Sequence, residues 1–160
     1  QVDQRAAGLG CEIGSHTYSH KNLNKLTAEQ VKEEIAKTDE VFKRVLGHPS
    51  VLIRPPYGNI NKTVQACLGE HAAVNWSVDT LDWKSKNVEQ IIETVKKEGN
   101  LDGKVILMHS IYASSAQAVE ELVPYLLEQG YQLVTVSELI TYKHHESIQM
   151  GKVYGYRYFR

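Results

Sequence analysis

The sequence predicts an α/β fold with a mainly parallel sheet, formed by a single domain over residues 1–160. Short apolar runs alternate with stretches of helical periodicity along the chain. One run, residues 105–108, is entirely apolar, which is typical of a strand buried on both faces of a parallel sheet. Polar residues capable of catalysis or metal binding follow the predicted strands, where parallel sheets carry their sites.

The first predicted strand and helix have clear boundaries. Residues 11–14 predict a short strand. Residues 26–46 predict a helix, because apolar side chains recur along one face at helical spacing. Thr27 is a suitable N-cap with Gln30 as its capping-box partner, and Gly47 is suited to end the helix.

The later elements continue the alternation up to a polar tail. Residues 51–53 predict a strand that Pro55 and Pro56 end, since proline cannot donate a hydrogen bond to a neighbouring strand. The remaining predicted strands cover 72–76, 105–108 and 131–136. The remaining predicted helices cover 60–69, 88–98 and 115–129, and Ser137 is expected to cap a short last helix. Residues 77–86 are polar, and residues 143–160 show no clear period.

Composition and charge exclude several classes of function. The formal net charge is −1, so no polyanion-binding surface is expected and nucleic acid is not a predicted partner. No apolar run approaches the roughly 18 residues of a membrane span. The first residues do not resemble a signal peptide and there is no initiator methionine, so we expect an excised or processed piece.

Two cysteines, Cys11 and Cys67, lie far apart without CxxC spacing. We interpret them as two buried small hydrophobic residues. A disulfide, or a third metal ligand, is the alternative.

His16 and His20 give the most informative signal in the chain. Two imidazoles four residues apart can hold one cation, and they form half of a zinc-type site, which needs a third protein ligand and an open position for water. The spacing alone is weak, because surface or capping histidines show it too. Thr17 stands where the zincin motif has its catalytic glutamate, so this is not a zincin.

A second motif begins at Arg54, directly after a predicted strand. Pro55 and Pro56 fix the backbone that follows. The Arg54 guanidinium is suited to orient a carboxylate, and the amide of Tyr57 can stabilise an oxyanion if it faces a cleft. A rigid surface turn with a solvated arginine is the alternative.

A third motif contains Asp79, Asp82 and Trp83. Carboxylates after a strand commonly cap the next helix; alternatively, one of them holds an imidazole. Trp83 is either a core residue or a wall of a sugar site.

A fourth motif places His109 directly after an apolar strand. A histidine there is a candidate general acid, and a structural core histidine is the alternative. Leu107 can line an apolar pocket for a methyl group. The other four histidines are interpreted as structural or solvated: His48, His71, His144 and His145.

Taken in order, these motifs resemble the polysaccharide deacetylases of carbohydrate esterase family 4, the NodB-homology domain. The matching strings lie at residues 16–20, 54–58, 79–84 and 107–109, and residues 10–14 are also similar, although the family more often has histidine where Cys11 stands. The resemblance implies a distorted, incomplete (β/α) barrel. It also implies metal-dependent hydrolysis of N-acetyl groups from an N-acetylglucosamine-containing polysaccharide, peptidoglycan or chitin-like, with release of acetate.

The resemblance assigns roles to the first two motifs. His16 and His20 become ligands of a divalent metal, with zinc expected and cobalt or nickel as alternatives. Arg54 becomes the residue that orients the catalytic base, and the Tyr57 amide becomes an oxyanion donor. By the same resemblance, the protein itself is expected to work outside the cytoplasm, in an extracellular or cell-envelope location, on a glycan substrate.

The resemblance also assigns roles to the last two motifs. Asp82 becomes the carboxylate that tunes His109, and His109 becomes the acid that protonates the leaving amine. Trp83 and Leu107 become walls near the acetyl methyl group. Asp79 is a looser assignment with a structural role.

One family feature does not occur in this sequence. The family has an Asp-Asp motif on its first strand, which supplies the catalytic base and the third metal ligand. Here Asp3 is a poor substitute, and we expect the first strand to be missing from this chain. We hypothesise that the missing segment is a separate fragment that stays associated. Two alternatives to the deacetylase function remain. The chain is a non-catalytic glycan-binding or scaffolding remnant of the fold, or it holds a structural metal without turnover.

Overall fold

The fold is taken from a computed structural model that describes residues 2–160. The side chains of Val2 and Asp3 lie outside the described residues, so the expectation for Asp3 is not addressed. The chain divides into two compact units: the first runs up to Asn75 and resumes over Thr135–Gly155, and the second comprises Trp76–Val134 and Tyr156–Arg160.

Helices and strands alternate along most of the described chain. The α-helices are α1 (Val2–Gly8), α2 (Ala28–Leu46), α3 (Lys62–Ala66), α4 (Asp82–Ser85), α5 (Val88–Lys97), α6 (Ala113–Glu128) and α7 (Val136–Glu138), the last continuing into a π-helical turn, Leu139–Lys143. The 3₁₀ turns are Leu23–Lys25 and Pro56–Gly58. The strands are β1 (Leu52–Ile53), β2 (Ala72–Val74), β3 (Val78–Asp79), β4 (Ile106–Leu107) and β5 (Val153–Tyr154).

The first unit is built on a parallel sheet in the order β1–β2–β5. Leu52 pairs with Ala72, and Ala73 pairs with Val153. Helix α2 packs its apolar face on this sheet, with Val31 and Ile35 in one core cluster with Ile53. Burial of that face stabilises the helix more than intrinsic propensity does.

The ends of α2 form as predicted. The Gln30 amide donates to the Thr27 hydroxyl and the Thr27 amide donates to the Gln30 side chain, which is the expected capping box. Gly47 ends the helix at φ 85°, a left-handed conformation that favours glycine.

The predicted strand at 11–14 is wrong, because only Ser15 pairs with the sheet. Ser15 forms an isolated parallel bridge with Ile53: its amide donates to Leu52 O at 2.8 Å, and its carbonyl accepts from Arg54 N at 2.8 Å. The Cys11 amide instead donates to Ala6 O at 3.0 Å, which satisfies a carbonyl at the end of α1. Its backbone therefore closes a helix end rather than a strand ladder.

The second unit contains a parallel pair, β3–β4, in which Val78 pairs with Ile106 and Asp79 with Leu107. Helices α5 and α6 cover it, and their buried residues Ile91 and Leu122 belong to one core cluster with Val78. All strand pairs among residues 2–160 are parallel, which confirms the α/β class. Strands β3 and β4 end at Asp79 and Leu107, the first residues of the third and fourth sequence motifs.

The predicted strand at 131–136 is also wrong. Residues 131–135 form no regular element, and Leu133 and Val134 are exposed. Thr135 caps α7 through a capping box with Glu138, so Ser137 lies inside the helix rather than capping it. An apolar run becomes a strand only when a neighbouring strand accepts its hydrogen bonds, and this run starts a helix instead.

The cysteines differ from each other. Both are free thiols; Cys67 is buried as expected, whereas Cys11 is exposed, which corrects the interpretation of both as core residues. Within the part of the chain that the structure describes, no helix combines the length and apolar character needed to cross a membrane.

Candidate active site

His16 and His20 lie together on the loop that follows the Ser15 bridge. Their ring centroids are 4.8 Å apart in an edge-on arrangement. The Nδ1 atom of His16 lies 2.6 Å from the Arg54 carbonyl oxygen. A carbonyl only accepts, so Nδ1 carries the proton and Nε2 carries the lone pair of the neutral ring. Metal-binding histidines are commonly oriented in this way by a backbone carbonyl.

Glu34 of α2 anchors the loop that contains His16 and His20 through two hydrogen bonds from Ser19. One carboxylate oxygen accepts from the Ser19 amide at 2.8 Å and the other from the Ser19 hydroxyl at 2.6 Å. Burial pushes the pKa of Glu34 up, but the hydroxyl and amide of Ser19, helped by the charge of Lys21, outweigh it and leave this pKa below its ordinary value. The carboxylate is therefore charged and fixes the residue next to His20.

Glu34 was not singled out from the sequence, although a signal was present. It lies between Val31 and Ile35 on the apolar face of α2, and only 7% of it is exposed. A glutamate on the buried stripe of a helix requires a hydrogen-bonding partner in the interior, and Ser19 provides it. The loop needs this support because Thr17 and His20 have φ values of 67° and 54°, which are strained for non-glycine residues.

Arg54 lies at the end of β1, with most of its side chain buried. Burial lowers its pKa from the ordinary value, and its Nε atom is buried with no hydrogen-bond partner among the described residues. A desolvated guanidinium nitrogen without an acceptor fits an anionic partner such as a carboxylate.

Tyr57 follows in the 3₁₀ turn with φ 61° and an exposed side chain. Its ring centroid lies 5.1 Å from that of His20. The side-chain amide of Asn75 donates to the Gly58 carbonyl at 3.0 Å, which holds the turn against β2. Within the first unit, His16 thus contacts the Arg54 backbone and the His20 ring, and His20 contacts the Tyr57 ring.

Two imidazoles in this arrangement fit two positions of a zinc-type ligand set. Among the side chains that the structure describes, residues 4–160, no group of three His, Cys, Asp or Glu could hold a metal ion. Cys11, the alternative third ligand, is therefore not part of such a group.

In the second unit, Asp82 begins α4 and is fully buried. Its Oδ1 accepts from His109 Nδ1 at 2.7 Å and from the Trp83 amide at 2.8 Å. Its Oδ2 accepts from the His109 amide and the Ser115 hydroxyl, both at 2.6 Å. Four donors converge on one carboxylate, and this fixes both the position and the ring orientation of His109.

The same contacts set the ionisation of Asp82. Burial pushes its pKa up, but the Ser115 hydroxyl and the ring and amide of His109 outweigh burial, so the pKa lies below its ordinary value. The carboxylate thus stays charged. Ser115 was missed in the sequence, where no pattern distinguishes it from Ser114.

The other residues of these motifs lie in different environments. Asp79 accepts the Leu81 amide at 2.9 Å in a local turn, in agreement with a structural role. Trp83 is 47% exposed and is therefore not a core residue, whereas Leu107 is buried within β4.

His71 and His48 make contacts with other residues. His71 is buried, lies 2.9 Å from an Asp39 carboxylate oxygen and donates from Nδ1 to Leu68 O at 2.8 Å. His48 is exposed, and its Nδ1 lies 2.9 Å from Pro49 O. The predicted site residues therefore form two groups. The group in the first unit is His16, His20, Arg54 and Tyr57. The group in the second unit is Asp82, Trp83, Leu107 and His109.

Comparison with known proteins identifies relatives over most of the chain. The family model described as polysaccharide deacetylase matches residues 2–76. The peptidoglycan-N-acetylmuramic acid deacetylase PdaC of Bacillus subtilis (strain 168) is 39% identical over 130 residues, covering 81% of this chain and 27% of the relative. The peptidoglycan-N-acetylglucosamine deacetylase PgdA of Listeria monocytogenes serotype 1/2a (strain 10403S) is 36% identical, covering 91% of this chain and 30% of the relative.

A solved structure of a T48 deacetylase with substrate superimposes with a TM-score of 0.86 and 37% identity, covering 94% of this chain and 73% of that one. This similarity confirms the predicted fold class, an incomplete (β/α) barrel of the NodB-homology type. The chain spans less than a third of the two curated relatives, with 27% and 30% of their lengths covered.

Proposed function

The chain belongs to the polysaccharide deacetylase family, and from this premise we propose that it removes N-acetyl groups from an N-acetylglucosamine-containing polysaccharide of the cell envelope, peptidoglycan or chitin-like, with release of acetate. The observation that carries the proposal is the identity of 36–39% with two proteins named peptidoglycan deacetylases, over 81–91% of this chain. The geometry of the two residue groups supports it independently.

His16 and His20 are proposed to hold a divalent metal, with zinc expected and cobalt or nickel as alternatives. A metal bound there supplies Lewis-acid activation of the acetyl carbonyl and of the attacking water. The chain's own contribution is orientation. The Arg54 carbonyl fixes the His16 ring, and Glu34 fixes the backbone beside His20 through Ser19.

Arg54 is proposed to orient the carboxylate that takes a proton from the attacking water. Its buried Nε, which has no acceptor among the described residues, supports this role. In the family, that carboxylate comes from the Asp-Asp motif. The Tyr57 amide is proposed to stabilise the negative charge that develops on the acetyl oxygen.

His109 is proposed to act as the general acid. In its acid form the ring carries two protons: Nδ1–H is held by Asp82, and Nε2–H is given to the departing amine nitrogen. Water adds its oxygen to the acetyl carbon, the C–N bond breaks, and the amine leaves with the transferred proton. Half-exposed Trp83 and buried Leu107 are proposed to line the site near the acetyl methyl group.

An acetate-release assay tests the proposal. The protein is incubated with N-acetylglucosamine tetrasaccharide and with peptidoglycan, with and without a chelator. Acetate release that stops with chelator and returns with zinc supports a metal-dependent deacetylase. Glycan binding without acetate release under any metal condition contradicts it and identifies a non-catalytic binding protein of the same fold.

A further inference from the structure

We propose that a groove beside His20 and Tyr57 binds a carboxylate-bearing group of the glycan, with Lys21 and Lys25 as the residues that select it. This inference rests on the proposed function, because it takes the ligand to be a glycan. It goes further because it proposes that the glycan carries a negative charge and that it binds in a groove of the first unit.

The groove has a volume of about 620 Å³, which is within the usual range for small-ligand sites. One wall is the loop from His20 to Leu26, and the other is the turn that contains Tyr57 and Asn59. The groove therefore begins at a histidine that we propose as a metal ligand and continues away from it.

Hydrogen bonds and burial hold both walls in place. The Asn22 side chain accepts from the Asn24 amide at 3.1 Å, and the Asn24 side chain accepts from the Asn61 amide at 2.9 Å. Between them, Leu23 is 1% exposed and anchored in the core of the first unit. A wall fixed at three points presents its outward side chains without the entropic cost of ordering a loop.

The charge of the lining is one-sided. The lining residues include two lysines, Lys21 and Lys25, and no aspartate or glutamate. Neither lysine belongs to an ion pair with any residue that the structure describes. Glu34 is close enough to Lys21 for the lysine charge to help lower its pKa, but both of its oxygens already accept hydrogen bonds from Ser19. The two ammonium groups therefore create a positive potential that favours an anion.

The rest of the lining indicates what carries the anion. Tyr57 is 63% exposed, and its ring offers a flat apolar face of the kind on which a sugar ring packs. Leu26 adds apolar surface, and the side chains of Asn22 and Asn59 add polar groups for hydroxyls. A sugar that bears a carboxylate satisfies all three features, whereas a neutral sugar leaves the lysines without a partner.

Binding measurements test this inference without requiring turnover. The ligands are three tetrasaccharides of equal length: neutral N-acetylglucosamine tetramer, a peptide-free form with a lactyl carboxylate on alternate sugars, and the same form with stem peptides. Affinities are measured by calorimetry at low and high salt for the natural chain and for the double variant Lys21→Gln/Lys25→Gln. The matched control is Lys32→Gln/Lys43→Gln, which removes the same charge from exposed positions of α2 outside the groove.

We expect the lactyl form to bind about three- to tenfold more tightly than the neutral tetramer at low salt. Screening should reduce that preference at high salt, and the groove variant should lose it while the control keeps it. A preference that appears only with the stem-peptide form places the recognised carboxylate on the peptide and not on the sugar, which overturns the assignment to an acidic sugar.

The remaining outcomes separate this inference from the proposed function. Equal affinity for neutral and acidic forms, or a preference that survives in the groove variant, overturns the role of the lysines and leaves the deacetylase proposal standing. Absence of binding to any of the three tetrasaccharides contradicts the glycan ligand itself, and the groove assignment fails with it.

Discussion

Replacing Asp82 by asparagine is expected to destabilise the second unit strongly, because the buried carboxylate cannot be matched by an amide. Each carboxylate oxygen accepts one backbone N–H: Oδ2 from His109 and Oδ1 from Trp83. An asparagine side chain has one accepting oxygen and one donating nitrogen. In either orientation, the nitrogen faces a backbone N–H that cannot rotate away.

The magnitude follows from these contacts. A buried N–H left without an acceptor costs about 1–3 kcal/mol, and loss of the charge weakens the remaining bonds further. We therefore expect Asp82→Asn to lower the free energy of unfolding by about 3 kcal/mol. Ser115→Ala removes one charge-assisted bond of 2.6 Å and should cost about 1–2 kcal/mol.

Urea unfolding at pH 7 measures these differences. The matched control is Asp79→Asn, three residues earlier, where the side chain only accepts the Leu81 amide in a local turn. Asparagine makes the same turn, so the control should stay within about 0.5 kcal/mol of the natural chain.

The pH dependence has a defined sign. The folded-state pKa of Asp82 is lowered, so its charge contributes stability that is complete above the unfolded value of about 4 and is lost as pH falls through the lower folded value. The difference between the natural chain and Asp82→Asn should therefore shrink in acid. An Asp82→Asn protein as stable as the Asp79→Asn control at pH 7 would refute the reasoning.

Three further predictions concern the site and its supports. Glu34→Gln should lower the free energy of unfolding, measured in urea, by about 1–2 kcal/mol, because it weakens both hydrogen bonds to Ser19. The control Glu33→Gln loses only an exposed ion pair with Lys37, so it should change the free energy of unfolding by under about 0.5 kcal/mol. His109→Ala should retain metal binding in calorimetry but slow acetate release by roughly 10²–10⁴-fold, and near-full activity would exclude the general acid role. Thr27→Ala should cost about 1 kcal/mol in thermal or urea unfolding through loss of the α2 cap, and an unchanged stability would contradict that estimate.

Much of the fold could be predicted because local signals decide it. The Thr27–Gln30 capping box and Gly47 are local signals, and both ends of α2 follow from them. The predicted strand at 131–136 failed because a strand depends on a partner elsewhere in the chain. β5, Val153–Tyr154, was missed for the same reason: its sequence shows no period, and its place beside β2 comes from the sheet.

The site was predictable only as far as its residue types carry chemistry. His16, His20 and His109 were recognisable from spacing and from their positions after predicted strands. Glu34 and Ser115 hold these histidines in place through hydrogen bonds to residues far away in the sequence, and no local pattern indicates such bonds. The roles assigned to the site residues by family resemblance stay predictions, as does the source of the catalytic base.

The most direct test of the account is to titrate the natural chain with zinc and measure the binding by calorimetry. Metal analysis after dialysis is the second measurement. His48→Ala is the matched control, since His48 is an exposed histidine outside both groups. The account predicts that the natural protein and His48→Ala bind zinc with the same affinity, and that His20→Ala binds it far more weakly, because one of the two proposed histidine ligands is then missing. Equal zinc binding by the natural chain and His20→Ala would contradict it.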